Sequence, residues 1–150
     1  YGFPTTFSLK TRLDSKQLTM SDAVIHIRLG DFLKYPNIFP IPSAEFYGDA
    51  LKVFDTNSFD IFTDDPIMAA KMYPELIGLA TNIIGPENYP GPESFILLSQ
   101  YKNIVTSSST FSSIAAWSIG KKGGKVACPL RMLVSETYDS RPSSWIRVKS

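Results

Sequence analysis

At 150 residues the chain has the length of one domain and enough material to bury a core without disulfides or metals. A hydrophobic fraction of 43%, a charged fraction of 19% and a formal net charge of +1 exclude the disordered and collagen-like classes. They also argue against a nucleic-acid binder: basic residues are scattered, and the densest group, Lys121, Lys122 and Lys125 with glycines between, reads as a solvated turn rather than a polyanion groove.

The start, Tyr1-Gly2-Phe3-Pro4, lacks the charged and apolar regions of a signal peptide and has no initiator methionine, so a fragment or a processed product is expected. Residues 1–20 show no clear period and read as a linker or the remnant of a missing N-terminal domain. Asp22-Ala23-Val24-Ile25-His26-Ile27 is a short β-branched apolar run, suited to a strand buried on both faces. After a proline-rich stretch through Pro36, Pro40 and Pro42, Ser43 is placed to cap a helix whose apolar stripe holds Phe46, Tyr47, Ala50, Leu51 and Phe54.

Phe59-Asp60-Ile61-Phe62-Thr63 predicts a second strand, and Asp64-Asp65-Pro66 opens a helix with Met68, Ala69 and Met72 following. The pattern recurs: a strand at Asn82-Ile83-Ile84, a Gly-Pro turn, a helix near residues 94–99, a strand at 103–106 and a helix at about 110–119. One more strand is expected at Val126-Ala127-Cys128, which buries the chain's single cysteine. Beyond Met132 the tail is weakly patterned, with Trp145-Ile146-Arg147-Val148 as its apolar anchor. Strands alternating with helices at intervals of roughly twenty residues predict an α/β fold, a Rossmann-like parallel sheet with flanking helices, over residues 21–150.

In such a sheet ligands sit outside the carboxyl ends of the strands, and the polar motifs fall there. Ser107-Ser108-Ser109-Thr110-Phe111-Ser112 puts hydroxyls and amides at the positive end of a helix dipole, a favourable anion site. Arg28, just past the first strand, offers a planar fork for two phosphate oxygens, a task otherwise given to a metal. Taken alone, each has a plainer reading: Ser109 or Thr110 as a helix cap, Arg28 in a local ion pair with Asp31, and His26 as a hydrogen-bonded core histidine. Asp64 and Asp65, beside Pro66, read as the start of a helix rather than as metal ligands.

In order, His26-Ile27-Arg28-Leu29-Gly30-Asp31-Phe32 resembles the His-x-Arg-Arg-Gly-Asp-Tyr signature of the alpha-1,2-fucosyltransferases, glycosyltransferase family 11. Ile61-Phe62-Thr63-Asp64-Asp65 resembles the family's Phe-Ser-Asp-Asp stretch, and Phe95-Ile96-Leu97-Leu98-Ser99-Gln100 the apolar helix after it. Ser109-Thr110-Phe111-Ser112-Ser113-Ile114-Ala115-Ala116-Trp117 is similar to Ser-Thr-Phe-Ser-Trp-Trp-Ala-Ala-Trp. Ser144-Trp145-Ile146 looks like the closing tryptophan segment. The chain departs from the pattern at Leu29, in place of the second arginine, at Ser113-Ile114, in place of paired tryptophans, and at Ser108, in place of an asparagine.

The resemblance implies the C-terminal, donor-binding domain of a glycosyltransferase with two Rossmann-like domains (GT-B-like). It implies an inverting transfer of fucose from GDP-fucose to a galactoside hydroxyl, in alpha-1,2 linkage, with no metal or other cofactor. The implied partners are GDP-fucose, a glycan acceptor with terminal galactose, and the missing N-terminal domain. By the same resemblance Arg28 holds the β-phosphate as GDP departs, His26 sits beside the nucleotide, and Ser109, Thr110, Phe111 and Ser112 line the diphosphate and fucose. Glu93 or Ser94 stands where the family has an acidic residue facing guanine, and Asp31 is the nearest candidate for a base.

Two other readings stay open at this level: a degenerate, non-catalytic nucleotide-sugar-binding or interaction domain, and a transferase using another nucleotide sugar. A Golgi luminal or membrane enzyme and a bacterial cytoplasmic or peripheral membrane enzyme of carbohydrate metabolism or protein glycosylation both fit.

Overall fold

The structure, a computed structural model, describes residues 19–88, 92–135 and 138–150; the expected linker lies outside them up to residue 18. Continuous apolar runs become the two central strands, β1 (Ala23–Ile27) and β2 (Phe59–Thr63), buried at every position. Buried parallel strands need apolar side chains on both faces, which is why these runs do not alternate. β3 (Asn82–Ile84), β4 (Asn103–Val105), β5 (Val126–Pro129) and β6 (Ile146–Val148) complete a six-stranded sheet of order β3-β2-β1-β4-β5-β6. Every pairing is parallel, as the alternation of strands and helices predicted.

Helices cover both faces. Val24 and Phe62, with Ile104 of β4, pack beneath α5 (Pro92–Ser99) and α6 (Thr110–Lys121) through Leu97, Leu98, Ala115, Ala116 and Ile119. The other side of the pleat, Ala23, Ile25, Ile27 and Ile61, packs on Phe46, Tyr47 and Ala50 of α2 (Ala44–Leu51). That face also takes Ala69 of α3 (Pro66–Met72) and Leu76 of α4 (Pro74–Leu79). Ser43 caps α2 as expected, its side chain accepting from the Phe46 amide at 3.2 Å; Phe54 lies past the helix end, still buried. Among the described residues, no helix is long and apolar enough to cross a membrane.

Three elements go beyond the sequence reading. A single helical turn, α1 (Gly30–Lys34), follows β1 directly. α4 restarts at Pro74 one residue after α3 ends, because proline is tolerated in a first helical turn. β6 pairs with β5 from Ala127↔Ile146 to Pro129↔Val148; an edge strand of half-exposed residues leaves no burial pattern to read. The crossover leading to β6 is clipped by Asp139, whose carboxylate accepts from Arg141 Nε at 2.8 Å and Arg147 Nε at 3.1 Å. Those hydrogen bonds, Arg141's first, hold its carboxyl well below the usual carboxylate range. Arg141 in turn donates to the carbonyls of Pro129 and Leu130.

The end of α6 depends on glycine. Gly123 takes φ +89°, a left-handed conformation that stops the helix without a Cβ penalty. At Gly124 a Cβ would run into the Lys102 carbonyl and the side chain of Ile119. Gly124→Ala is therefore expected to cost about 1–3 kcal/mol of unfolding free energy, measured by urea titration. Gly48→Ala is the companion: a Cβ there meets nothing within 4 Å, and the helix interior should gain about 0.5–1 kcal/mol.

Candidate functional site

The chain lays β1, β2 and β3 outward in one direction and β4, β5 and β6 in the other, so strand order reverses between β1 and β4. Open parallel sheets split there at their carboxyl ends, with the two following loops diverging to opposite faces. Three loops meet at this end: Arg28 to Gly30 after β1, Asp64 after β2, and residues 106–109 between β4 and α6. At this end lies a cleft of about 230 Å³ lined by His26, Arg28, Phe62, Thr63, Asp64, Pro86, Ser94 and Phe111. The guanidinium after β1 and the first turn of α6, 83 positions apart in sequence (28 to 111), thus face one space.

His26 shares the pleat face of Val24 and sits under the first turn of α6. Its Nδ1 and Ser107 Oγ share a hydrogen bond of 2.8 Å, with direction set by the imidazole tautomer. Phe111 and Phe62 flank the ring at centroid distances of 5.6 and 6.2 Å. Burial first, and the Arg28 charge second, push its pKa from 6.5 down to about 3. The imidazole is therefore neutral at physiological pH, a hydrogen-bonding group and not a second cation. This agrees with the plainer reading of a lone histidine in a strand, placed beside the cleft.

Arg28 is half-exposed, and its Nε lies 3.5 Å from Asp64 Oδ2. The expected local partner, Asp31, is farther, at 3.9 Å from Nη2. Asp31 stands in the first turn of α1, is exposed, also pairs with Lys34 at 3.7 Å, and is not among the residues lining the cleft. Leu29, where the resemblance would have a second arginine, is fully buried in the core with Ile27 and Phe46. Among the described lining residues, Arg28 supplies the cation.

The serine-rich turn is deeper than the sequence reading implied. Ser109 is the N-cap of α6, its side chain accepting from the Phe111 amide at 3.2 Å. Ser112 is fully buried and turned inward, donating to the Ser109 carbonyl at 3.1 Å and lying 3.3 Å from Ser107 Oγ. Thr110 is exposed at the head of the helix. Of the four residues expected to line the ligand, Phe111 reaches the cleft, and the others shape the turn or stand outside it. Ser94 lines the cleft while Glu93, the alternative at that position, is half-buried and is not among the lining residues. The hydroxyls of Thr106 and Ser108 are buried with no hydrogen-bond partner among the described residues, an uncommon cost concentrated where the strands part.

Asp64, read from the sequence with Asp65 as the start of a helix, has a different task in the structure. Asp65 caps α3, accepting from the Met68 amide at 3.0 Å, which leaves Asp64 for another task. Its carboxylate accepts from the Leu29 amide at 2.8 Å and the Gly30 amide at 2.9 Å. Pro86, from the turn after β3, also enters the lining unannounced.

A larger groove of about 380 Å³ runs along α6 between Ser113, Ile114, Trp117, Arg141 and Trp145. It is mostly apolar, and its arginine is engaged with Asp139 and two carbonyls. The smaller cleft holds the groups able to meet an anionic, polar ligand.

No family model matches the chain, and no curated protein matches it. Among solved structures it is similar to KpsC, a beta Kdo 2,7 transferase of Thermosulfurimonas dismutans, at 11% sequence identity and TM-score 0.44. The match covers 96% of this chain and 50% of that one, so the chain spans half the length of that structure.

Proposed function

We propose that this chain is the donor-binding part of a glycosyltransferase, that its cleft takes a nucleoside diphosphate sugar, and that the donor is GDP-fucose. The observation carrying this reading is the convergence of Arg28, neutral His26 and the first turn of α6 on one cleft at the switch point. A diphosphate needs a forked donor pointed at two oxygens and a low-dielectric wall, and Arg28 beside Phe62 and Phe111 offers both. The collinear fucosyltransferase-like signatures narrow the sugar and the base.

In the reaction the bond between fucose C1 and the β-phosphate oxygen breaks as a galactose hydroxyl attacks from the opposite face, giving inversion. The departing GDP takes the bond's electron pair, and Arg28 stabilises that charge where it develops. The imidazole of His26, kept neutral, offers a hydrogen bond without repelling the guanidinium. The proton of the attacking hydroxyl must go to a base. Asp31 is outside the cleft lining and Asp64 is occupied by two backbone amides. The reading therefore assigns the base and the galactoside acceptor site to the N-terminal domain expected beside this chain.

Calorimetry tests it. The chain should bind GDP with an affinity unaffected by chelator, and Arg28→Ala should weaken binding by about 1.5–3 kcal/mol, roughly ten- to 150-fold. Equal GDP binding by wild type and variant removes the basis for the diphosphate assignment. Competition by GDP-mannose and by UDP-sugars separates GDP-fucose from another donor. With the second domain absent, the acceptor is not oriented, so rapid fucose transfer by this chain alone would contradict the division of labour.

A further inference from the structure

We propose that Asp64 is a positioning residue for the diphosphate: it splints the turn after β1 and aims the Arg28 fork into the cleft. The inference rests on the reading of the cleft as a diphosphate site.

The geometry is that of one carboxylate serving three groups. Oδ1 accepts from the Leu29 amide at 2.8 Å, and Oδ2 accepts from the Gly30 amide at 2.9 Å while lying 3.5 Å from Arg28 Nε. Three consecutive residues of the β1–α1 turn are thus tied to one side chain on the neighbouring strand end. Arginine has five N–H donors on a rigid plane. Engaging it at the Nε edge leaves Nη1, and Nη2 with its longer 3.9 Å approach to Asp31, for a ligand, and fixing the backbone on its C-terminal side limits where the plane can swing. The Phe32 ring, with the guanidinium carbon 5.8 Å from its centroid, backs the same side chain. Asp31, the neighbour an arginine in solution would choose, is the more distant carboxylate and is open to water, so it is the weaker restraint.

Two further observations favour orientation over a generic structural bond. Asp64 is not needed as a helix cap, since Asp65 does that. Gly30 is kept small on the carboxylate's account: a Cβ there would stand 2.6 Å from Asp64 Oδ2, so any side chain at position 30 pushes the carboxylate off both the turn and Arg28. The two amide dipoles also disperse the charge of Asp64, which lowers its repulsion of an incoming diphosphate.

The test is calorimetry of the full chain with GDP and with GMP, which lacks the β-phosphate. Asp64→Ala should weaken GDP about tenfold while changing GMP less than about twofold, and in an Arg28→Ala background it should add less than about twofold. Gly30→Ala, which changes no charge, should reproduce the loss of GDP preference. Additive losses in the double variant, or equal weakening of GDP and GMP, would show Asp64 acting on the fold alone and overturn the proposal. Unchanged GDP binding by both Asp64→Ala and Gly30→Ala would do the same. If circular dichroism shows Asp64→Ala unfolded, Gly30→Ala and Asp64→Asn decide by the same GDP-to-GMP ratio. Absence of GDP binding by the wild-type chain defeats the diphosphate reading itself, and this inference with it.

Discussion

Asp60→Ala should lower the unfolding free energy by about 2–4 kcal/mol, because it leaves several hydrogen-bond donors around a buried position without their acceptor. Asp60 is fully buried at the amino end of β2. Its Oδ1 accepts from Ser21 Oγ at 2.8 Å and Asn82 Nδ2 at 2.9 Å, and its Oδ2 from the Ser21 amide at 3.1 Å and Tyr101 Oη at 2.7 Å. One carboxylate therefore joins the chain entering β1, strand β3 and the turn into β4. Apolar packing alone leaves those segments free to slide. Asp60→Asn should cost less, because its NH₂ can take the side of Asn82, whose side-chain amide then has to flip and give up its bond to the Thr19 carbonyl. On the other side the Ser21 amide is a donor that cannot reverse. Urea unfolding at neutral pH checks both variants; a loss below about 1 kcal/mol for Asp60→Ala would mean that water replaces the carboxylate. Since the network lies at the opposite end of the strands from the cleft, folded Asp60→Asn should bind GDP as the wild type does.

Asp60 and Asp64 show where sequence reading stops. β1 and β2 were legible because a strand buried on both faces must be an unbroken apolar run, and α2, α3 and α6 because Ser43, Asp65-Pro66 and Ser109 mark their starts. Within Phe59-Asp60-Ile61 the aspartate looks like an ordinary interruption of such a run. Only the return of Ser21, Asn82 and Tyr101 to its side gives it four donors. Asp64 and Asp65 are equivalent candidates for the cap of α3 in one dimension. In three, Asp65 turns forward to its own helix and Asp64 turns back to a loop 34 and 35 positions upstream.

The cleft divides in the same way. His26, Arg28 and Phe111 were placed at one rim by the rule that loops converge where strand order reverses, and the structure brings them together. The inward turn of Ser112 was hidden, because a hydroxyl one turn into a helix is equally able to face a ligand or bond back to a carbonyl; a fully buried environment decides for the carbonyl. Leu29 is hidden differently. At the position where the resemblance has an arginine, the side chain lies fully buried in the core with Ile27 and Phe46 and outside the cleft lining, so a leucine there supplies apolar packing where a buried guanidinium would need a partner.

Acid should destabilise the wild-type chain more than His26→Asn, by about 2.5 kcal/mol between about pH 7 and about pH 4.5. In the unfolded chain His26 takes up its proton near its ordinary value of 6.5, whereas in the fold it resists until about 3. The unfolded state thus binds the extra proton throughout that interval. Stability from this group is fully present above pH 6.5 and declines by about 1.4 kcal/mol per pH unit as the pH falls toward 3. Asparagine can keep a hydrogen bond to Ser107 Oγ without titrating, so carboxylate effects common to both chains cancel in the comparison. Urea unfolding of both at the two pH values reads the difference, and parallel losses would show that the imidazole is charged or solvated in the fold. The order of causes makes a finer distinction. Burial under Phe111 outweighs the Arg28 charge, so a diphosphate that neutralises Arg28 removes only the smaller cause. The acid sensitivity of His26 should therefore shrink but persist when GDP is bound, whereas complete loss of it would place the guanidinium, and not burial, in control of the imidazole.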